Sequence, residues 1–164
     1  MLRVRIAPVL VAIAMCLLWG GLPMTASAQP VSVVLTLLPA TVTFTDADPD
    51  TTPTITSPSM AVTVDVSGDN VPYSWLLTLA ATNLTTGSAT ILISNVTWTA
   101  TPSPFVANGT VSTTAQTVAS GNTSCVKKKC TYLGTGTFIF SLANSWSYNA
   151  GVYTSTFTFV LSAP

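Results

Sequence analysis

After residue 30, apolar and polar residues alternate with a period of two, and this pattern constrains the fold more than any other feature of the sequence. Val62, Val64 and Val66 are separated by Thr63 and Asp65. Because successive side chains of a strand point to opposite faces, such alternation predicts strands with one buried face. Further strands are predicted at residues 31–37, 41–45, 75–79, 90–93, 95–100, 110–118, 138–142 and 153–161. No window of ten or more residues combines helical periodicity with helix caps.

The strand faces that carry the large aromatic residues are predicted to form the core. These residues are Trp75, Phe138, Phe140, Phe157 and Phe159. Each such side chain buries about 150–250 Å². The opposite faces are mostly Thr and Ser, and threonine fills 28 of the 136 positions after residue 28. Since threonine is β-branched, it suits the solvent-facing side of a strand.

Clusters of turn-forming residues separate the alternating segments. They lie at 48–50, 67–70, 86–88, 108–109, 120–122 and 149–151. Roughly eight short strands punctuated in this way predict an all-β fold with antiparallel pairing and two packed sheets. We therefore expect an antiparallel two-sheet β-sandwich, with a closed β-barrel as the alternative, because periodicity does not separate the two. No internal repeat and no linker divides residues 29–164, so they are predicted to form one domain.

The first 28 residues have the pattern of a cleavable secretory signal peptide. Arg3 and Arg5 precede an apolar stretch at 6–22, and Ala26-Ser27-Ala28 has the small-x-small pattern of a cleavage site. A short membrane anchor is the alternative, since a span needs about 20 apolar residues. Glycines and a proline in this region favour cleavage. We expect an exported protein that begins at Gln29 and has no transmembrane span after cleavage.

The inventory of ionisable residues excludes most enzyme classes. The chain has no His and no Glu, so the Ser-His-Asp and Cys-His arrangements and ordinary zinc sites are ruled out. Its five Asp residues all lie within 46–69. Residues 29–164 carry three lysines against these aspartates, a net charge of −2, which is not the basic balance of a nucleic-acid-binding protein. We expect no catalysis, no cofactor and no nucleic-acid partner.

Cys125 and Cys130 are the cysteines that remain after the predicted cleavage. In an oxidising compartment, two cysteines this close that flank a polar loop are expected to form a disulfide. The closed loop is short, so its stabilisation should fall below the ~3 kcal/mol of a fifteen-residue loop. We therefore expect the bridge to shape the loop rather than to hold the fold. Without other ligands or a low-pKa environment, the pair is a poor metal or redox site.

Lys127, Lys128 and Lys129 lie between these two cysteines. One interpretation is a solvated turn whose charge keeps the protein in solution. The other is a basic finger that contacts an anionic polymer or lipid at a cell surface. The concentration of all three lysines in one segment of a chain with few charges motivates the second interpretation.

Asp46, Asp48 and Asp50 have the alternate spacing of carboxylates seen at the start of calcium-binding loops. The glycine and the later acidic ligand of an EF-hand loop are missing. An Asp-rich turn is therefore the first interpretation, and a weak calcium site is the alternative.

Trp75-Leu76-Leu77 matches the short motif that names the WxL domains of bacterial cell-surface proteins. Residues 73–98 resemble the family's Trp strand, polar-Leu turn, glycine and second apolar strand. Residues 148–164 are similar to the Gly-x-Tyr strand that ends many such exported modules. The resemblance implies a cell-surface location and non-covalent binding to peptidoglycan. From the strand pattern alone, Trp75 and Leu77 are predicted to be core residues.

These features together predict a non-catalytic module, secreted or attached to a bacterial cell surface, with a structural or adhesive role. Its partner would be a cell-wall polymer or another surface protein. The alternative is a subunit of a surface fibre or pilus-like assembly that is completed by strand exchange. An unpaired strand edge would distinguish that alternative.

Overall fold

The computed structural model describes residues 31–87, 89–149 and 151–164. The predicted signal peptide at 1–28 and the new terminus at Gln29 lie outside the described residues. That part of the chain contains twelve strands and one short 3-10 helix, Ile93–Asn95. The strands are β1 (Ser32–Leu38), β2 (Thr54–Thr56), β3 (Met60–Asp69), β4 (Ser74–Ala81), β5 (Leu84–Thr86), β6 (Ala89–Ile91), β7 (Val96–Thr101), β8 (Asn108–Thr110), β9 (Gln116–Asn122), β10 (Ser124–Val126), β11 (Lys129–Ala143) and β12 (Phe157–Ser162).

Two antiparallel sheets make up the sandwich. The larger sheet has the order β1-β3-β11-β7-β8, and β2 and β10 also pair with β11. The smaller sheet has the order β12-β4-β9, and β5 and β6 form a separate hairpin. Neither sheet closes on itself, so the prediction of an all-β sandwich is confirmed over the barrel alternative. The described residues include no helix that is both long and apolar enough to span a membrane.

The fifteen-residue strand β11 organises the larger sheet. On one side it pairs with β3 from Lys129 to Phe138 and with β2 from Ser141 to Ala143. On the other side it pairs with β7, where Phe140 lies opposite Trp98. At about 3.3 Å per residue, β11 extends roughly 45 Å. The turn before it and the loop after it therefore lie near opposite ends of the sandwich.

Aromatic side chains from both sheets meet between them. Phe138 of β11 contacts Phe159 of β12 edge to face, with 5.8 Å between ring centroids. Phe140 and Phe157 meet in the same way at 4.9 Å. Edge-to-face pairs of this kind contribute about 0.5–1.5 kcal/mol beyond the area they bury. All five aromatic residues predicted for the core are buried. The prediction that their strand faces form the core is therefore confirmed.

The predicted strand at 41–45 is wrong. Val42 and Phe44 are buried and alternate with exposed threonines, but the segment is not part of a strand in the structure. The alternating pattern arises because Val42 and Phe44, in the connection between β1 and β2, have buried side chains. Alternation indicates which side chains face the core. It does not indicate whether the backbone forms hydrogen bonds with a neighbouring strand.

Two of the predicted turns, 108–109 and 120–122, are also wrong, because they lie within β8 and β9, and residues 67–69 of a third lie within β3. The glycines of the first two lie under indole rings: a Cβ at Gly109 would be 2.3 Å from Trp98, and one at Gly121 would be 2.8 Å from Trp75. Glycine in a strand often marks such a close approach rather than a reversal of the chain.

Candidate functional site

The three lysines lie at the tip of the hairpin formed by β10 and β11, which we call the basic hairpin (residues 124–131). Val126 pairs with Lys129, so Lys127 and Lys128 form a two-residue turn. All three lysine side chains are exposed, as is Val126 at 75%. None of the three has a hydrogen bond or ion pair between its side chain and a described residue. Their charges therefore face solvent.

A disulfide crosses the basic hairpin directly behind the turn. Cys125 and Cys130 are paired in the strand register and joined by an S–S bond, so the predicted bridge is confirmed. Cys125 is exposed, whereas Cys130 is fully buried and pairs with Gly68 of β3. The lysine turn is thus attached through one covalent link to a residue inside the sandwich.

The backbone of the turn is held in an unusual conformation. Lys127 has a φ of 58°, in the left-handed region that glycine adopts without cost. For a residue with a side chain this conformation costs about 1–2 kcal/mol. The neighbouring turn contacts the tip through Asn70, whose φ is also positive and whose backbone N–H donates to the carbonyl of Lys128 at 2.6 Å. This arrangement restricts the conformations of the lysine turn.

The three aspartates of the predicted calcium loop have other contacts. A side-chain oxygen of Asp48 accepts a hydrogen bond from the backbone N–H of Asp50 at 2.9 Å, as in an Asx turn. The Asp50 carboxylate accepts one from the indole N–H of Trp146 at 3.1 Å. Among the described residues, no group of three or more His, Cys, Asp or Glu side chains is arranged to hold a metal ion. The structure does not bring Asp46 together with the other two as such a group.

Trp75 and Leu77, the residues of the WxL-like motif, lie inside the sandwich. Trp75 is 2% exposed, Leu77 is fully buried, and the indole ring lies 4.5 Å from the ring of Tyr132. The indole N–H of Trp75 has no hydrogen-bond partner among the described residues. The core role predicted from the strand pattern is confirmed, and neither side chain is available to a ligand.

Sequence reasoning did not identify a cleft at the other end of β11. Residues 46, 47, 49 and 55 line it on one side and residues 144–146, 148, 149 and 151 on the other, and its volume is 270 Å³. We call it the aromatic cleft, and its lining includes Asp46, Pro49, Asn144, Trp146, Tyr148 and Asn149. The only sequence signal for it is that Trp146 and Tyr148 stand among Ser and Asn residues, outside any alternating segment.

Hydrogen bonds fix the walls of the aromatic cleft. The Asn144 amide donates to the carbonyl oxygens of Ala47 and Thr52, at 2.9 and 3.0 Å. Trp146 is 68% exposed, yet its indole N–H donates a hydrogen bond to Asp50, the residue after the lining residue Pro49. Burial raises the pKa of the Tyr148 hydroxyl, and a hydrogen bond with Asn95 partly opposes that shift. The cleft is therefore partly pre-formed.

Comparison with protein-family models, with curated proteins and with solved structures found no match.

Proposed function

We propose that the protein is a non-catalytic, exported module that adheres to an anionic polymer of a bacterial cell surface through the basic hairpin. The observation that carries the proposal is the placement of the lysines. All three are exposed on one turn, and a disulfide anchors that turn to the buried Cys130. No other Lys or Arg occurs in the described residues.

Restriction of the turn favours binding. A loop that is ordered before it binds loses less conformational entropy on binding. A larger part of the interaction energy then contributes to the binding free energy. Residues kept in costly backbone conformations occur preferentially at functional sites. Lys127 occupies a position where glycine would be more stable. The presence of a lysine at this position supports a role for its charge.

Replacing Lys127, Lys128 and Lys129 together by glutamine should weaken retention on purified bacterial cell walls about tenfold at low salt. This assumes about 0.5 kcal/mol for each exposed charge pair. The difference should shrink as salt rises, because the Debye length falls from about 10 Å at 0.1 M to about 3 Å at 1 M. Co-sedimentation with walls across a salt series measures it.

Two control variants separate location from net charge. The triple arginine variant should bind like the unmodified protein. A variant with the three glutamines and new lysines at the exposed positions Thr97, Thr99 and Thr101 has the original net charge and should remain weak. Equal retention of the unmodified protein and the triple glutamine variant at low salt would contradict the proposal.

One observation favours a second candidate function, a fibre subunit that exchanges strands. β1 is the edge strand of the larger sheet, carries no charge and exposes Val34 and Leu38 at 50% and 71%. Such an edge is a template for another strand. Residues 39–53 then connect β1 to β2 without a strand of their own. A connection of this length would allow β1 to be donated to a neighbouring copy.

The oligomeric state of the exported chain distinguishes the two functions. If the module acts alone, it should elute as a monomer at all concentrations, with β1 paired to β3 of its own chain. A fibre subunit should instead form a ladder of oligomers, and a variant lacking residues 29–38 should bind a synthetic peptide of that sequence. Size-exclusion chromatography with light scattering measures both the oligomeric state and the binding of the peptide.

A further inference from the structure

The aromatic cleft has features of a ligand site that the basic hairpin does not use. Trp146 presents most of its indole ring to solvent, and Tyr148 lines the same space. Exposed tryptophan is otherwise absent from the described residues, since Trp75 and Trp98 are 2% and 3% exposed. A tryptophan left in solvent on a wall of a cleft provides a flat π surface for a small ligand.

The charge of the cleft indicates the chemistry of that ligand. The Asp50 carboxylate accepts a hydrogen bond from the indole N–H of Trp146, which places a negative charge beside the ring that lines the cleft. No lysine or arginine is among the lining residues. The faces of aromatic rings and carboxylates both attract cations. Among the described residues, the three lysines lie around the opposite end of β11 from the cleft.

We propose that the aromatic cleft binds an alkylammonium group, held over Trp146 and Tyr148 with the Asp50 carboxylate at the edge of the indole ring. A trimethylammonium or primary ammonium head fits a 270 Å³ cleft. The hydrogen bond from Trp146 to Asp50 fixes the indole ring before the ligand arrives. It also places a negative charge at the ring edge, which strengthens attraction of the π face for a cation.

Choline and n-butylamine are the probes, and 3,3-dimethyl-1-butanol, which has the shape of choline without its charge, is the control ligand. Saturation-transfer NMR on the ligand methyl protons and the fluorescence of Trp146 both report binding. Choline should bind and the alcohol should not. Butylamine shows whether a primary ammonium serves as well as a quaternary one, and binding of either amine supports the site.

Substitutions test which residues form the site. Asp50→Asn keeps an oxygen that can accept the indole N–H but removes the charge, so it should weaken choline binding about three- to tenfold. Trp146→Leu should abolish the saturation transfer. Asp65→Asn removes the same charge from the exposed face of β3 and should leave binding unchanged. Circular dichroism of each variant confirms that the fold is retained.

Three results would overturn the proposal. The first is equal binding of choline and the neutral alcohol, which would indicate an unspecific apolar cleft. The second is no saturation transfer with either amine. The third is binding of a monosaccharide such as glucose in place of the amines, which would assign the cleft to a neutral ligand. None of these results depends on whether the basic hairpin binds an anionic polymer.

Discussion

Replacing Phe140 by alanine should lower the free energy of unfolding by about 3–5 kcal/mol, the range for phenylalanine removed from a packed core. The side chain is fully buried near the middle of the sandwich. It meets Phe157 edge to face at 4.9 Å and Phe138 at 6.3 Å. Its loss leaves a cavity between the sheets that neither neighbour can fill. Urea unfolding followed by tryptophan fluorescence measures the change.

The neighbouring residue provides the control. Ile139 is on the opposite face of β11 and is 38% exposed. Ile139→Ala should cost less than about 1 kcal/mol of unfolding free energy, because a partly exposed side chain leaves no closed cavity. Similar losses for the two variants would show that β11 does not separate a core face from a solvent face.

Replacing Gly136 by alanine should cost about 2 kcal/mol of unfolding free energy, within the range for overpacked cores. Gly136 is a buried position of β11, and a Cβ there would lie 2.5 Å from Cγ of Phe105. That atom is close to the backbone of Phe105, so rotation of the ring does not remove the clash. The chain between β7 and β8 would have to move.

A second glycine of the same strand tests this explanation. A Cβ at Gly134 would lie 2.4 Å from the hydroxyl of Tyr132, the far end of a side chain that can swing away. Gly134→Ala should therefore cost much less than Gly136→Ala. Adding Phe105→Ala, which removes Cγ, to Gly136→Ala should cost less than the sum of the two single substitutions, as a coupling in a double-mutant cycle. If the two losses of unfolding free energy simply add, the cost of Gly136→Ala does not come from contact with Phe105.

Alternation in the sequence was sufficient to predict which face of each long strand is buried. Val62, Val64 and Val66 are all fully buried, and Asp65 between them is exposed. The signal is reliable because a shift of one residue would exchange the core face for the solvent face. The disulfide was also predictable, since Cys125 and Cys130 are the two cysteines that remain after the predicted signal cleavage.

The partners of each strand were not predictable in the same way. β11 pairs with β3, which lies sixty or more positions earlier in the chain, and an alternation with a period of two does not specify that register. The aromatic cleft was missed for a related reason. Trp146 and Asp50 lie in irregular segments, and they meet only because β2 pairs with the end of β11.

The position of β11 determines when the larger sheet can form. β11 is its central strand, with β3 on one side and β7 on the other, yet it is the last strand of that sheet to be synthesised. Until it emerges from the ribosome, β3 and β7 have no shared neighbour, and their apolar faces remain uncovered. Pairings between distant segments also form slowly, in milliseconds to seconds for sandwiches. The larger sheet therefore cannot assemble until residues 129–143 have been synthesised, although β1 and β3 can pair before then.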